Sequence, residues 1–308
     1  MQHTGVVVCA TRGSALALAQ TRTVAAKLAQ FGTATTIVTI ATTGDRIRDR
    51  SLSAIGSDSV FVKELETALR ERRAQYAVHS CKDLPSVLAE DMRLAAISAR
   101  EDPRDVFCSE AYACFADLPA GARVGTSSPR RRAQLIRMRR DLQYVDVRGN
   151  IDTRLRKLAD RQYDALVLAA AGLRRLNARS RHMIAFEIAE MVPAVGQGAL
   201  AVELLESQRE LAGMLWRAVN DPTTEMCVRC ERAALRTLRG GCQAPIGIHA
   251  RFAGAEMVVD AFIADADGNG AVREQRRAQV HDAAQAEELG CQVGRALMQS
   301  GAAGPNPR

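Results

Sequence analysis

Val6-Val-Val-Cys-Ala-Thr-Arg-Gly-Ser-Ala-Leu-Ala-Leu-Ala-Gln20, running on to Leu28 and followed by Thr36-Ile-Val-Thr-Ile40, decides the fold class. Val6 to Ala10 is a short apolar run rich in β-branched residues, which favours a buried strand. Ser14 then offers its hydroxyl as a helix N-cap, and Leu16, Ala19, Val24 and Leu28 keep a helical spacing. Thr36 to Ile40 is strand again. Strand, amphipathic helix and strand in succession make a βαβ unit, and such units build a parallel sheet.

The alternation continues outward. Phe61 to Arg72 reads as a helix, Tyr76 to His79 and Leu94 to Ser98 as strands, and Ala99-Arg-Glu-Asp-Pro103 as a polar, proline-broken crossing between lobes. The pattern then restarts, with strands near Ala122 to Gly125, Tyr144 to Val147 and Ala165 to Ala170, and helices from Pro129 and Thr153. Pro193-Ala-Val-Gly-Gln-Gly198 reads as a second crossing, after which Ala199 to Glu203 returns to the first sheet. A helix over Glu225 to Leu238, a Gly-Gly turn and strands at Ile246 to Phe252 and Met257 to Ile263 suggest a smaller α+β domain. The expected organisation is α/β, with two doubly wound lobes around a cleft: domain 1 is 1–98 with 199–219, domain 2 is 104–193, and domain 3 is 220–308, with crossings near 99–103 and 194–198. No internal repeat is visible in the sequence.

With 308 residues, 47% apolar and 25% charged, the chain is long enough for two or three domains and has a globular composition. No apolar run reaches the roughly 20 residues of a membrane span, and the first residues lack the charged start of a secretory signal, so a cytoplasmic location without membrane contact is expected. Eight cysteines are too sparse for a disulfide framework and are expected as thiols. Cys227-Val-Arg-Cys230 has zinc-like spacing but lacks a second pair and falls within a helical pattern, so no metal site is expected. The net charge of +7 favours an anionic partner. Nucleic acid is disfavoured, because with one Trp, four Tyr and seven Phe the chain is poor in stacking platforms and shows no recognisable module.

Open α/β sheets bind ligands beyond the carboxyl ends of their strands. Arg12-Gly-Ser14 lies beyond the first strand. Thr126-Ser-Ser-Pro-Arg-Arg-Arg132 lies beyond another, with a serine cap and a proline in the first helical position marking an anion-binding helix start. Arg148-Gly-Asn-Ile-Asp-Thr-Arg154 and Gly172-Leu-Arg-Arg175 repeat the arrangement. His79-Ser-Cys-Lys-Asp-Leu-Pro85 places Asp83 at a strand end, where a carboxylate can steady a cation and move protons, while His79 reads as structural. Cys242, in Gly240-Gly-Cys-Gln-Ala-Pro-Ile-Gly247, sits on a turn that leaves its thiol accessible as a nucleophile.

Together the strings Thr11 to Gln20, Phe61-Val-Lys-Glu-Leu65, His79 to Asp83, Gly125 to Arg131, Val147-Arg-Gly-Asn150, Pro193 to Gly198 and Gly240-Gly-Cys-Gln243 resemble the porphobilinogen deaminase (hydroxymethylbilane synthase) family, in family order and over nearly the whole chain. The resemblance implies two periplasmic-binding-protein-like lobes and a third domain bearing a cofactor cysteine. It implies a transferase of porphyrin and heme biosynthesis that condenses four porphobilinogen molecules into the linear tetrapyrrole hydroxymethylbilane, with release of ammonia. A dipyrromethane primer would be held by Cys242 as a thioether, with Lys82, Ser128, Arg130, Arg131 and Arg148 binding it. Arg12, Ser14, Arg148, Arg154 and Arg175 would bind porphobilinogen and the growing polypyrrole chain, Asp83 would be catalytic, and the enzyme would be a monomer. The alternative is a non-catalytic two-lobed binding protein for an anionic small molecule. One departure stands out: the loop Ile55-Gly-Ser-Asp-Ser-Val-Phe61 carries Asp58 where a lysine is usual, which implies altered handling of the growing chain.

Overall fold

The computed structural model describes residues 5–41, 62–240 and 244–300. They fall into two compact units, Met1–Arg100 with Ala199–Glu225, and Glu101–Gly198 with Met226–Arg308. The chain begins in unit 1 with β1 (Val6–Arg12), α1 (Ala15–Gln30), β2 (Ala34–Ile40), α2 (Lys63–Arg70), β3 (Tyr76–Ser80) and β4 (Met92–Ile97). It passes into unit 2 for β5 (Asp105–Ser109), β6 (Arg123–Gly125), α3 (Pro129–Met138), β7 (Gln143–Val145), α4 (Ile151–Ala159), β8 (Ala165–Ala169), α5 (Ala170–Arg175) and β9 (His182–Ala185). It returns to unit 1 as β10 (Leu200–Leu205) and α6 (Arg209–Val219). Then α7 (Pro222–Thr237) leads back to unit 2 and to β11 (Ile246–Ala253), β12 (Glu256–Ile263), β13 (Val272–Gln279) and α8 (Ala283–Gln299).

The two large sheets have the orders β2-β1-β3-β10-β4 and β7-β6-β8-β5-β9. In the first, β1 runs parallel to β2 and β3. In the second, β6 runs parallel to β7 and β8. The expected parallel sheets are therefore mixed, because each holds one strand antiparallel to both neighbours: β10 between β3 and β4, and β5 between β8 and β9. The cause is the crossings. β5 follows the first and β10 the second, so each enters its sheet from the other unit rather than through a helical crossover of that sheet, and nothing obliges it to run parallel.

Side-chain chemistry explains the local choices. Ser14 caps α1 by accepting from the Ala17 N–H at 3.2 Å, and Ser128 caps α3 by accepting from the Arg131 N–H at 3.4 Å, with Pro129 in the first turn. The helix expected from Phe61 is observed as α2, with Phe61 itself outside the described residues; the one expected from Thr153 starts at Ile151 and the one from Glu225 at Pro222. Apolar strand faces bury Cys9, Tyr76, Val78 and Val202 against α1 and α6 in one cluster, and Phe107, Val124, Ala165 and Val167 in another. Full burial of a Val or Phe side chain among these contributes about 1.5 to 3 kcal/mol. The smaller C-terminal domain is an antiparallel sheet in the order β11-β12-β13 with its own apolar cluster, which includes Ala234, Ile248, Val259, Val293 and Leu297.

Candidate functional site

In unit 1 the neighbouring strands β1 and β3 end side by side, which brings Arg12 and the residues after Ser80 to one edge of the sheet. A single helical turn, Cys81–Asp83, follows β3 and is anchored by the Cys81 N–H donating to the Ala199 carbonyl at 3.0 Å. Arg12, Gln20, His79, Ser80 and Asp83 line one pocket there. Gln20, buried on α1, donates to the Ser80 hydroxyl at 2.8 Å and fixes that edge. Lys82 sits on the same turn, partly buried, and Ser14 borders the edge as the α1 cap. His79 is buried with its Nε2 2.9 Å from Oε2 of the fully buried Glu203, which agrees with its reading as a structural histidine.

In unit 2 the edge is built by the loops after β6 and β7. The Ser127 hydroxyl donates to the Val147 carbonyl at 2.9 Å and accepts from the Val147 N–H at 3.0 Å, which holds the two loops together. Gly149 follows Arg148 with φ +105, and a side chain there would lie 2.7 Å from Cγ2 of Thr153, so this turn requires glycine. Arg154 Nε donates back to the Gly149 carbonyl at 2.8 Å. Burial, with the positive charges of Arg131 and Arg148 nearby, pulls the Arg154 guanidinium down to about 10. Arg131, Arg148 and Arg154 thus share one neighbourhood, and among the described residues neither Arg148 nor Arg154 is paired with a carboxylate. Uncompensated, partly buried cations are suited to a ligand that carries several carboxylates, as a dipyrromethane does with its acetate and propionate groups.

Arg130 and Arg131 are buried and both meet Asp105, a residue the sequence reading passed over. Burial alone would raise the Asp105 carboxyl, but the two guanidiniums outweigh it and hold the group well below the usual carboxylate range. Arg175 is held elsewhere, donating to the Gly198 carbonyl at 2.6 Å, and burial pulls its guanidinium below its ordinary pKa. Its neighbour Arg174 pairs with Glu101 at 2.8 Å and Asp102 at 2.9 Å. α5 therefore grips both crossings. Glu231 is a second omission: fully buried on α7, it accepts from the Gly196 N–H at 2.7 Å and the Ala250 N–H at 2.8 Å, joining the second crossing to β11. Cys242 and the loop 55–61 with Asp58 lie outside the described residues. No metal-holding cluster of His, Cys, Asp or Glu occurs among the described residues.

Comparison with known proteins fits this arrangement. Residues 7–213 match the family model described as "Porphobilinogen deaminase, dipyromethane cofactor binding domain", and residues 225–299 match "Porphobilinogen deaminase, C-terminal domain". A porphobilinogen deaminase of Syntrophobacter fumaroxidans is 42% identical over 96% of this chain and 96% of its own. One from a Roseiflexus species is 45% identical over 95% of this chain and 98% of its own. A periplasmic substrate-binding protein of an ABC transporter from Coxiella burnetii overlaps 71% of this chain and 93% of its own at 12% identity and a TM-score of 0.44, a distance at which the likeness carries no argument. With both models matched in order and relatives aligned from end to end, this chain belongs to the porphobilinogen deaminase family.

Proposed function

We propose that Cys242 carries the dipyrromethane primer of this porphobilinogen deaminase and that Asp83 is the acid and base of its reaction, the stepwise condensation of four porphobilinogen molecules into hydroxymethylbilane with loss of ammonia. The observation that carries this reading is the edge after β6 and β7, where the Ser127–Val147 hydrogen bonds join the loops that lead to Arg148 and Arg154, neither of them paired with a carboxylate among the described residues. When bound, the dipyrromethane supplies the free pyrrole carbon on which the product is built. Ser128, Arg130, Arg131 and Arg148, with Lys82, hold it, and Arg12, Ser14, Arg148, Arg154 and Arg175 take the carboxylates of incoming substrate. Loss of ammonia leaves the substrate as a cationic azafulvene, whose charge the Asp83 carboxylate offsets. Asp83 also receives the proton shed when the new carbon–carbon bond forms, and Arg12 beside it in the same pocket binds a substrate carboxylate near that charge.

A cytoplasmic, monomeric enzyme without membrane or nucleic-acid partners accompanies this reading, with domain limits at 1–98 with 199–219, 104–193 and 220–308. No helix among the described residues is long and apolar enough to cross a membrane. The denatured intact mass of the purified protein, beside Cys242→Ser, tests the proposal. An added mass of two linked pyrroles in the wild type, lost in the variant, is expected. A bare polypeptide in both, still bare after incubation with porphobilinogen, would favour a non-catalytic binder of anionic small molecules.

A further inference from the structure

The carboxyl of Asp105, fully buried at the head of β5, accepts hydrogen bonds from three side chains. Nη1 of Arg130 reaches Oδ2 at 2.7 Å, while Nε of Arg131 and Nε2 of Gln197 reach Oδ1 at 2.9 and 3.0 Å. Each donor also holds a backbone carbonyl: Arg130 that of Val192 at 2.7 Å, Arg131 that of Val167 at 2.9 Å, and Gln197 that of Pro103 at 2.6 Å. The two guanidiniums at the start of α3 are thereby fixed on one side by a carboxylate and on the other by main chain. Gln197 belongs to the second crossing and Pro103 to the first, so the same carboxylate ties both segments to the arginines. Pairing with one acid leaves the two arginines one net positive charge, held in place before any ligand arrives.

We propose that Asp105 is a positioning residue of the primer site, which orients Arg130 and Arg131 and, through Gln197, couples their orientation to the second crossing. The proposal rests on the reading in which those arginines hold the primer. Its test uses the holoenzyme with Asp105→Asn and Gln197→Ala, and reads three quantities: the fraction of chains bearing the primer mass, the ladder of enzyme-bound intermediates after one equivalent of porphobilinogen, and KM against kcat.

In Asp105→Asn the loaded fraction is expected to fall several-fold. In Gln197→Ala loading is retained, the ladder shifts toward its early members, and KM rises about tenfold with a smaller change in kcat. Variants that melt earlier but load fully, with the wild-type ladder and KM, would reduce Asp105 to a purely structural role and overturn the proposal. Should Asp105→Asn fail to fold, Gln197→Ala decides alone, since it removes the hydrogen bonds of Gln197 to Asp105 and to the Pro103 carbonyl and leaves the charges paired. A wild type without added mass refutes the underlying reading of Cys242, and the proposal with it; a loaded wild type with unaffected variants refutes the proposal alone.

Discussion

Around Asp105 one carboxylate and two guanidiniums share a buried site, so the stability this residue contributes must depend on pH in a definite direction. Its folded-state pKa is depressed by Arg130 and Arg131 against the opposing effect of burial. The contribution is therefore complete above the unfolded value of about 4 and is lost as the pH falls toward the depressed folded value. Asp105→Asn leaves two buried guanidiniums without their counter-ion and is expected to cost about 3 kcal/mol at neutral pH. Urea midpoints of wild type and variant should converge as the pH drops below about 4, because the wild type then loses what the variant already lacks. A gap that stays constant into acid would show that the charge of Asp105 contributes nothing to stability. Legibility at this scale follows range. The caps Ser14 and Ser128 are readable because capping spans three residues, from Ser14 to Ala17 and from Ser128 to Arg131. Asp105 is not, because its partners lie 25, 26 and 92 residues away and it looks like any polar residue at a strand start.

Among the elements, α7 and α8 approach each other closely at Gly290. A side chain at Gly290 would run into the carbonyl of Cys230 and press on Ala233, so the two helices approach through a missing Cβ. Gly290→Ala is expected to destabilise by about 2 kcal/mol despite the better helix propensity of alanine, since a backbone carbonyl cannot step aside as a side chain can. Thermal unfolding checks this, and an unchanged or raised midpoint would mean that the helices part at little cost. The same helices explain Cys227 and Cys230: both thiols are buried in the apolar cluster, and burial raises the Cys230 thiol, which suits core packing. β1, α1 and β2 are legible because the two strands are short runs rich in β-branched residues and the helix between them keeps its 3.6-residue spacing. β13 is not, since Val272-Arg-Glu-Gln-Arg-Arg-Ala-Gln279 alternates half-buried and exposed positions while carrying polar residues on both faces. Its strand state comes from backbone pairing with β12 along its whole length, a tertiary effect that outweighs propensity. β5 is not legible for a related reason: Val106, Phe107 and Cys108 are apolar enough, but the strands that flank it, β8 and β9, are supplied from far along the chain.

At the scale of the molecule, the two large sheets repeat one topology that the sequence does not announce. Each has three parallel strands in the order second, first, third, then an antiparallel strand delivered by a crossing, then a last strand. Such a repeat constrains backbone paths and asks only that inward side chains be apolar, so residue identity can drift while the architecture holds. The chain passes between the units after Arg100, Gly198 and Glu225, and each unit has apolar clusters of its own. Separate cores allow separate cooperative unfolding. The single tryptophan, Trp216, lies on α6 in unit 1, whereas Asp105 lies in unit 2. Asp105→Asn should therefore pull part of the far-ultraviolet circular dichroism transition to lower urea while leaving the Trp216 fluorescence midpoint where the wild type has it. If both probes instead shift together, the three passages transmit the loss and the chain unfolds as one cooperative body. The pattern of the shift thus measures how strongly the crossings that Gln197 and Arg175 hold in unit 2 bind the stability of one unit to that of the other.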